Sequence, residues 1–217
     1  MRCIVFDLDG TLADTSADLL AAANACFPGG AVLGPGDALT AFHGGRAMLR
    51  LGYERLGQAW TESDVDRDYP VLLEAYRQAI AVHTTLYPGA MDAVEALKRE
   101  GYAVSICTNK PAALAEELLR RLGIRDAFGA MIGADTLATR KPDAAPYVAA
   151  VERAGGVVAR SMLVGDTETD RKTGLAVGVP VALVTFGPEG AGVARLAPEA
   201  LLDHFDQLVG IAGRLVR

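Results

Sequence analysis

Short apolar runs alternating with helical periodicities govern the second half of the chain, whereas the first half leaves that rhythm after a single strand. Cys3-Ile4-Val5-Phe6 reads as a buried strand, because an unbroken apolar run rich in β-branched and aromatic residues suits a strand covered on both faces. Residues 18–27 then read as an Ala-rich helix, broken by the Gly/Pro cluster between Pro28 and Gly36. Helical spacing continues over residues 38–43, 46–56 and 64–83, the last carrying Val65, Tyr69, Leu72, Leu73, Tyr76 and Ile80 at helical intervals. No further strand is expected before Tyr102. From there strands over 103–107, 130–132, 162–164 and 181–184 alternate with helices over 112–122, 145–154 and 170–177, and a last helix is expected over 199–214.

Such alternation predicts an α/β fold: a Rossmann-like, doubly wound parallel sheet with helices on both faces. The helical stretch interrupts this core, so the expected organisation is residues 1–13 and 84–217 as the α/β core and residues 14–83 as an inserted helical cap. About seventy residues alone bury too little surface to be robust. The insertion is therefore expected to fold against the core as a lid.

Composition narrows the range of partners. Half of the 217 residues are apolar (51%), enough for a sizeable core, and the formal charge is −6. The acidic balance argues against a nucleic-acid or anionic-membrane surface, which needs clustered positive charge, and favours a small-molecule substrate. Monomer and homodimer are both compatible with the sequence. Cys3, Cys26 and Cys107 lack metal-ligand spacing and read as reduced thiols. No stretch is apolar enough to span a bilayer, and the first strand begins at residue 2, so the cytoplasm is the expected location.

Four segments at strand ends carry chemistry. Asp7-Leu8-Asp9-Gly10-Thr11 delivers two carboxylates from the first strand, with Gly10 permitting a sharp exit. Unpaired carboxylates beside a core are costly, and close pairs repel unless a cation or proton intervenes. Cys107-Thr108-Asn109-Lys110 offers a hydroxyl and an amide to an anion, and Arg140-Lys141-Pro142 a cation on a stiff backbone. Gly165-Asp166-Thr167-Glu168-Thr169-Asp170 brings further acids out of a buried strand. Together they supply oxygen ligands for a hard cation such as Mg2+ beside donors suited to phosphate. Only four lysines occur, and two of them, Lys110 and Lys141, fall inside these segments.

With these motifs in this order, the chain resembles the haloacid-dehalogenase-like superfamily over nearly its whole length, and within it the phosphoglycolate-phosphatase-like subgroup with a helical first-type cap. The resemblance implies that Asp7 attacks phosphorus to form an aspartyl-phosphate, and that Asp9 protonates the leaving alcohol and then takes a proton from water. It implies phosphate binding by Thr108, the Asn109 backbone and Lys141, and a Mg2+ site made by Asp7, the Asp9 backbone carbonyl and Asp166. Asp170 and Thr11 would support these groups. Two departures occur: Lys141-Pro142 is followed by Asp143-Ala144-Ala145-Pro146 without the usual nearer second proline, and Thr173-Gly174 stands where alanine is common. Neither removes a group the chemistry needs.

Outside the motifs, His43-Gly44-Gly45-Arg46 interrupts the helical pattern. Arg46, with His43, suits recognition of a substrate carboxylate; a helix-start arginine facing water suits the same residues equally well. Asp14, Glu168 and Arg171 read as solvated or capping groups, Lys110 as loop support, His83 and His204 as structural or surface residues, and Trp60 as packing within the lid.

The leading expectation is a metal-dependent phosphatase acting on a small phosphate monoester, foremost 2-phosphoglycolate. A carbon–halogen hydrolase would need no acid at Asp9, and a phosphonate-cleaving relative would need a lid lysine, which residues 14–83 lack. A β-phosphoglucomutase-like sugar-phosphate mutase uses the same core, and a phosphatase for a sugar phosphate or nucleotide shares its motifs. The intact acids argue against a binding protein without catalysis.

Overall fold

A computed structural model describes residues 1–217. Along the chain run β1 (Arg2–Phe6), β2 (Ala13–Asp14), α1 (Ser16–Asn24), α2 (Ala38–Phe42), α3 (Gly45–Leu56), α4 (Glu62–Gln78), β3 (Thr85–Leu86) and α5 (Ala90–Arg99). There follow β4 (Tyr102–Cys107), α6 (Ala112–Arg121), β5 (Ala130–Ile132), α7 (Ala144–Arg153), β6 (Ser161–Gly165), α8 (Glu168–Val177), β7 (Val181–Val184), β8 (Ala200–Leu202) and α9 (Leu208–Leu215). The chain divides into two compact units, one of Met1–Ala13 with Leu86–Arg217, the other of Asp14–Thr85. No helix is long and apolar enough to cross a membrane.

The first unit is built on a six-stranded sheet of order β5-β4-β1-β6-β7-β8, parallel at each junction. Successive residues of β1 point to opposite faces, and Cys3, Ile4, Val5 and Phe6 are all fully buried, as a strand covered on both sides requires. Cys3 and Val5 join Leu163, Val181, Leu183, Tyr147 and Val151 in one apolar cluster. On Phe6 the ring of Phe128 packs edge-on at 6.1 Å. The chain runs outward from β1 through β4 to β5, then returns to the other side of β1 with β6. That reversal places a crevice at the carboxyl ends of β1, β4 and β6, where open α/β sheets bind ligands.

The second unit is helical, with Met48, Leu49, Val65, Leu72, Tyr76 and Ile80 in its interior. Trp60 packs here, stacked on Tyr53 with 6.0 Å between rings. Buried Asp18 of α1 receives the backbone N–H groups of His83 and Thr84, each at 2.9 Å, and the Thr84 hydroxyl at 2.7 Å.

That carboxylate accompanies one departure from the expected elements. The helix expected over 64–83 starts earlier, at Glu62, where the Asp64 carboxylate accepts from the Thr61 backbone at 2.9 Å, and it stops at Gln78. Beyond it Ala81 takes a left-handed φ of 61°, and the chain turns to present residues 83 and 84 to Asp18. Two strands were also missing from the expectation. β2 and β3 are two residues each and pair with one another, too short for any alternation to register. The helix expected over 199–214 begins as a strand: Ala200-Leu201-Leu202 pairs in parallel with Ala182-Leu183-Val184, and helix starts only with a 3-10 turn at Phe205–Gln207 that leads into α9 at Leu208. Pairing at the sheet edge overrides the helix preference of Ala and Leu.

Candidate active site

Strand register assembles the site. Phe6 lies level with Ile106 of β4 and Val164 of β6, so the residues that follow, Asp7, Thr108 and Asp166, leave the sheet at one end. The Asp7 N–H still donates to Val164 O at 2.9 Å, and the Thr108 N–H to Ile132 O at 2.9 Å. The chain then turns sharply, with Leu8 O accepting from Leu12 N at 3.0 Å and Ala13 N at 3.1 Å. Gly10 adopts φ 81° in this turn, a conformation that costs glycine little and other residues more. Leu8 is fully buried, which leaves Asp7 and Asp9 to the opposite, polar side.

Lys141 stands at the centre. Its Nζ lies 3.1 Å from Asp7 Oδ2 and 2.7 Å from Asp170 Oδ1, with the lysine side chain 2% exposed. Asp170 Oδ2 accepts from the backbone N–H groups of Asp166 (3.2 Å) and Thr167 (3.1 Å) and from the Thr167 hydroxyl (2.7 Å). The contact from the Thr167 backbone N–H is half of a capping box that starts α8, so the device that begins the helix also aims Asp170 at Lys141. Gly165 makes room for it: a Cβ there would lie 2.3 Å from Asp170 Cγ. Thr11 Oγ1 donates to Asp166 Oδ1 at 2.8 Å. Thr108 Oγ1 accepts from Lys110 N at 3.1 Å, leaving its hydroxyl hydrogen to donate.

Electrostatics match this crowding. Burial pushes the Asp7 carboxyl up to about 7; Lys141 opposes the rise, and Asp170 and Asp9 add to it. Asp166 is held well above the usual carboxylate range by burial and by the charges of Asp170 and Asp7. Burial works against the Lys141 ammonium, yet the Asp170 and Asp7 carboxylates outweigh it and hold its pKa above the ordinary lysine value. Four carboxylates, Asp7, Asp9, Asp166 and Asp170, thus face two ammoniums, Lys110 and Lys141, a formal excess of two negative charges. One ligand oxygen from each of Asp7, Asp166 and Asp170 lies within 4.8 Å of the others. Hard oxygen donors with a double negative excess fit a divalent cation. The Asp170 carboxylate already takes Lys141 and three donors from Asp166 and Thr167, whereas Asp7 takes Lys141 and the Leu8 N–H and Asp166 the Thr11 hydroxyl, so Asp7 and Asp166 are the carboxylates better suited to hold it.

Of the residues singled out in the sequence, Asp7, Asp9, Thr11, Thr108, Asn109, Lys141, Asp166 and Asp170 all lie at this sheet end of the first unit. The Asn109 side-chain amide, which the motif offered to an anion, donates instead to Lys141 O at 3.0 Å; the phosphate role implied by the resemblance concerns the Asn109 backbone. Arg46 and His43 belong to the second unit. Arg46 pairs with Asp66 and lies 4.6 Å above the Tyr69 ring, while His43 is exposed beyond the end of α2. Asp14 Oδ1 accepts from Ser16 N at 3.0 Å, Glu168 pairs with Lys172, and Arg171 with Glu199. Lys110 is where the sequence reading fell short. Its Nζ donates to Asp9 Oδ1 at 2.8 Å, a contact across 101 positions of chain that only its place in a motif, in a lysine-poor sequence, hinted at.

The model of the haloacid dehalogenase-like hydrolase family matches residues 1–178. The chain is 38% identical over 218 residues to a phosphoglycolate phosphatase of Mesorhizobium japonicum, covering 99% of this chain and 96% of the relative. It is 36% identical over 208 residues to a phosphoglycolate phosphatase of Agrobacterium fabrum, covering 94% and 89%. Among solved structures, a predicted phosphoglycolate phosphatase from Haemophilus somnus superposes with a TM-score of 0.79 at 25% identity, covering 97% of each chain.

Proposed function

The chain belongs to the haloacid dehalogenase-like hydrolases, and from that premise we propose that it is a Mg2+-dependent phosphatase that hydrolyses a small phosphate monoester, 2-phosphoglycolate, through an aspartyl-phosphate. The observation that carries this reading is the buried group of Asp7, Lys141, Asp166 and Asp170 around one ammonium and an excess of negative charge, in a chain with full-length relatives of that name.

Asp7 is the nucleophile: its carboxylate oxygen forms the bond to phosphorus as the ester oxygen departs. Asp9 gives its proton to that departing oxygen. A water then attacks the aspartyl-phosphate, Asp9 takes the proton from the water, and Asp7 is released with inorganic phosphate. Lys141 and the donors of Thr108 and the Asn109 backbone hold phosphate oxygens, Asp170 orients Lys141, and Thr11 orients Asp166. Asp7, the Asp9 carbonyl and Asp166 would hold Mg2+, which when bound would neutralise the repulsion between anionic nucleophile and anionic phosphoryl group. His43 and Arg46 are proposed to select the substrate's carboxylate end. Residues 14–83 act as the cap.

A phosphate-release screen with Mg2+ over 2-phosphoglycolate, phosphoserine, sugar phosphates and nucleoside monophosphates tests the proposal, with 2-phosphoglycolate expected to give the highest kcat/KM. Conversion of β-glucose 1-phosphate to glucose 6-phosphate without phosphate release would make it a mutase instead.

A further inference from the structure

We infer that Lys110 is a positioning residue for proton transfer: its ammonium fixes the orientation of the Asp9 carboxylate. The inference rests on the proton-carrying role given to Asp9 above. Lys110 Nζ donates to Asp9 Oδ1 at 2.8 Å, with the lysine side chain 4% exposed and that of Asp9 18%. Lysines are almost never so buried without a charged partner. The other two lysines outside the centre form surface pairs on their own helices, Lys98 with Glu95 and Lys172 with Glu168. Lys110 and Lys141 are alone in being buried, and both aim at the acids of Asp7-Leu8-Asp9.

Support of its own loop does not account for the Lys110 side chain. Backbone groups already hold that loop: Thr108 N to Ile132 O at 2.9 Å, Ala134 N to Lys110 O at 2.9 Å, and Lys110 N to Thr108 Oγ1 at 3.1 Å. Just beyond, Ala112 N donates to Asp135 Oδ1 at 2.7 Å. The ammonium itself reaches Asp9. Asp9 sits in a tight turn and is part-exposed, and the Lys110 ammonium holds its Oδ1 at 2.8 Å. Proton exchange needs one oxygen held within about 2.6–3.2 Å of the leaving oxygen and later of water. Anchoring Oδ1 selects the rotamer in which Oδ2 does so: the proton on Asp9 passes to the departing alkoxide as the ester P–O bond breaks, and a water proton returns to it as the Asp7–phosphorus bond breaks.

The test compares Lys110→Met with the unmodified full chain, both with Mg2+, on two esters. Glycolate is a basic leaving group that needs the proton; p-nitrophenolate leaves without it. In single-turnover measurements of phosphoryl transfer to Asp7, the rate of glycolate release from 2-phosphoglycolate is expected to fall about 100-fold, and the burst of p-nitrophenolate from p-nitrophenyl phosphate by less than about fivefold, while the later hydrolysis of the aspartyl-phosphate, common to both esters, slows equally for both. In an Asp9→Asn background the same substitution should change neither rate. Thermal unfolding and calorimetric Mg2+ titration check that the remaining site is intact. Should Lys110→Met not fold, Lys110→Gln, which keeps a donor of similar reach, should show a smaller split of the same kind. Equal losses in the transfer step on both esters, or a loss confined to KM, overturn the inference and leave the phosphatase reading standing. An unmodified chain that hydrolyses neither ester, or an Asp7→Asn variant that still turns over, overturns both.

Discussion

Lys141 Nζ donates to Asp170 Oδ1 at 2.7 Å where neither side chain is more than 2% exposed. Removing the Asp170 charge leaves the buried Lys141 ammonium with Asp7 alone, at 3.1 Å, and Asp170 also completes the capping box of α8. Asp170→Asn is expected to lower stability by about 3 kcal/mol, read by chemical denaturation. Its turnover should fall by about 10- to 100-fold, as for groups that orient a site residue.

Asp7→Asn should abolish turnover, since an amide cannot carry the phosphoryl group. It should not cost stability in metal-free protein, because it removes a charge that burial and Asp170 already penalise. Thermal unfolding and phosphate release on one preparation check both halves.

The raised Asp7 carboxyl also sets a pH dependence. Between its ordinary value of 3.8 and about 7, metal-free folded protein holds a proton that the unfolded chain releases. Stability on this account is greatest at the acidic end of that window and declines as pH rises through it. Asp166, shifted in the same direction, adds to the decline. The melting temperature of chelator-treated protein should therefore drop between about pH 5 and pH 8, and added Mg2+ should raise it more at pH 8. A melting temperature flat across this range would argue against the buried, unneutralised acids.

Gly165→Ala places a methyl group against Asp170, 2.3 Å from its Cγ. Asp170 must move and Lys141 with it. The variant is expected to lose activity by about 100-fold or more at a KM little changed, measured on the substrate the screen selects.

Arg46→Ala should raise KM for a carboxylated phosphate ester far more than for an uncharged one. Equal effects would leave Arg46 as the partner of Asp66 between α3 and α4, where Arg50 and Glu62 form a parallel pair at 2.8 Å.

Much was legible in the linear order of residues. β1, β4, β6 and β7 are short apolar runs with local boundaries, and the acids at their ends follow directly, because a parallel sheet collects its strand ends on one side whatever the loops do. The alternation of strand and helix dictated the layered fold for the same reason. What the chain order does not contain is pairing between distant segments. β8 looks helical in isolation and becomes a strand only because β7 presents an unpaired edge. Helix α4 ends where it does beside an Asp18 that takes up the backbone beyond it, 65 positions away. The Asn109 amide turned to Lys141 and the Lys110 ammonium turned to Asp9 by the same logic: a buried donor goes to the nearest acceptor in space, and folding alone determines which acceptor that is.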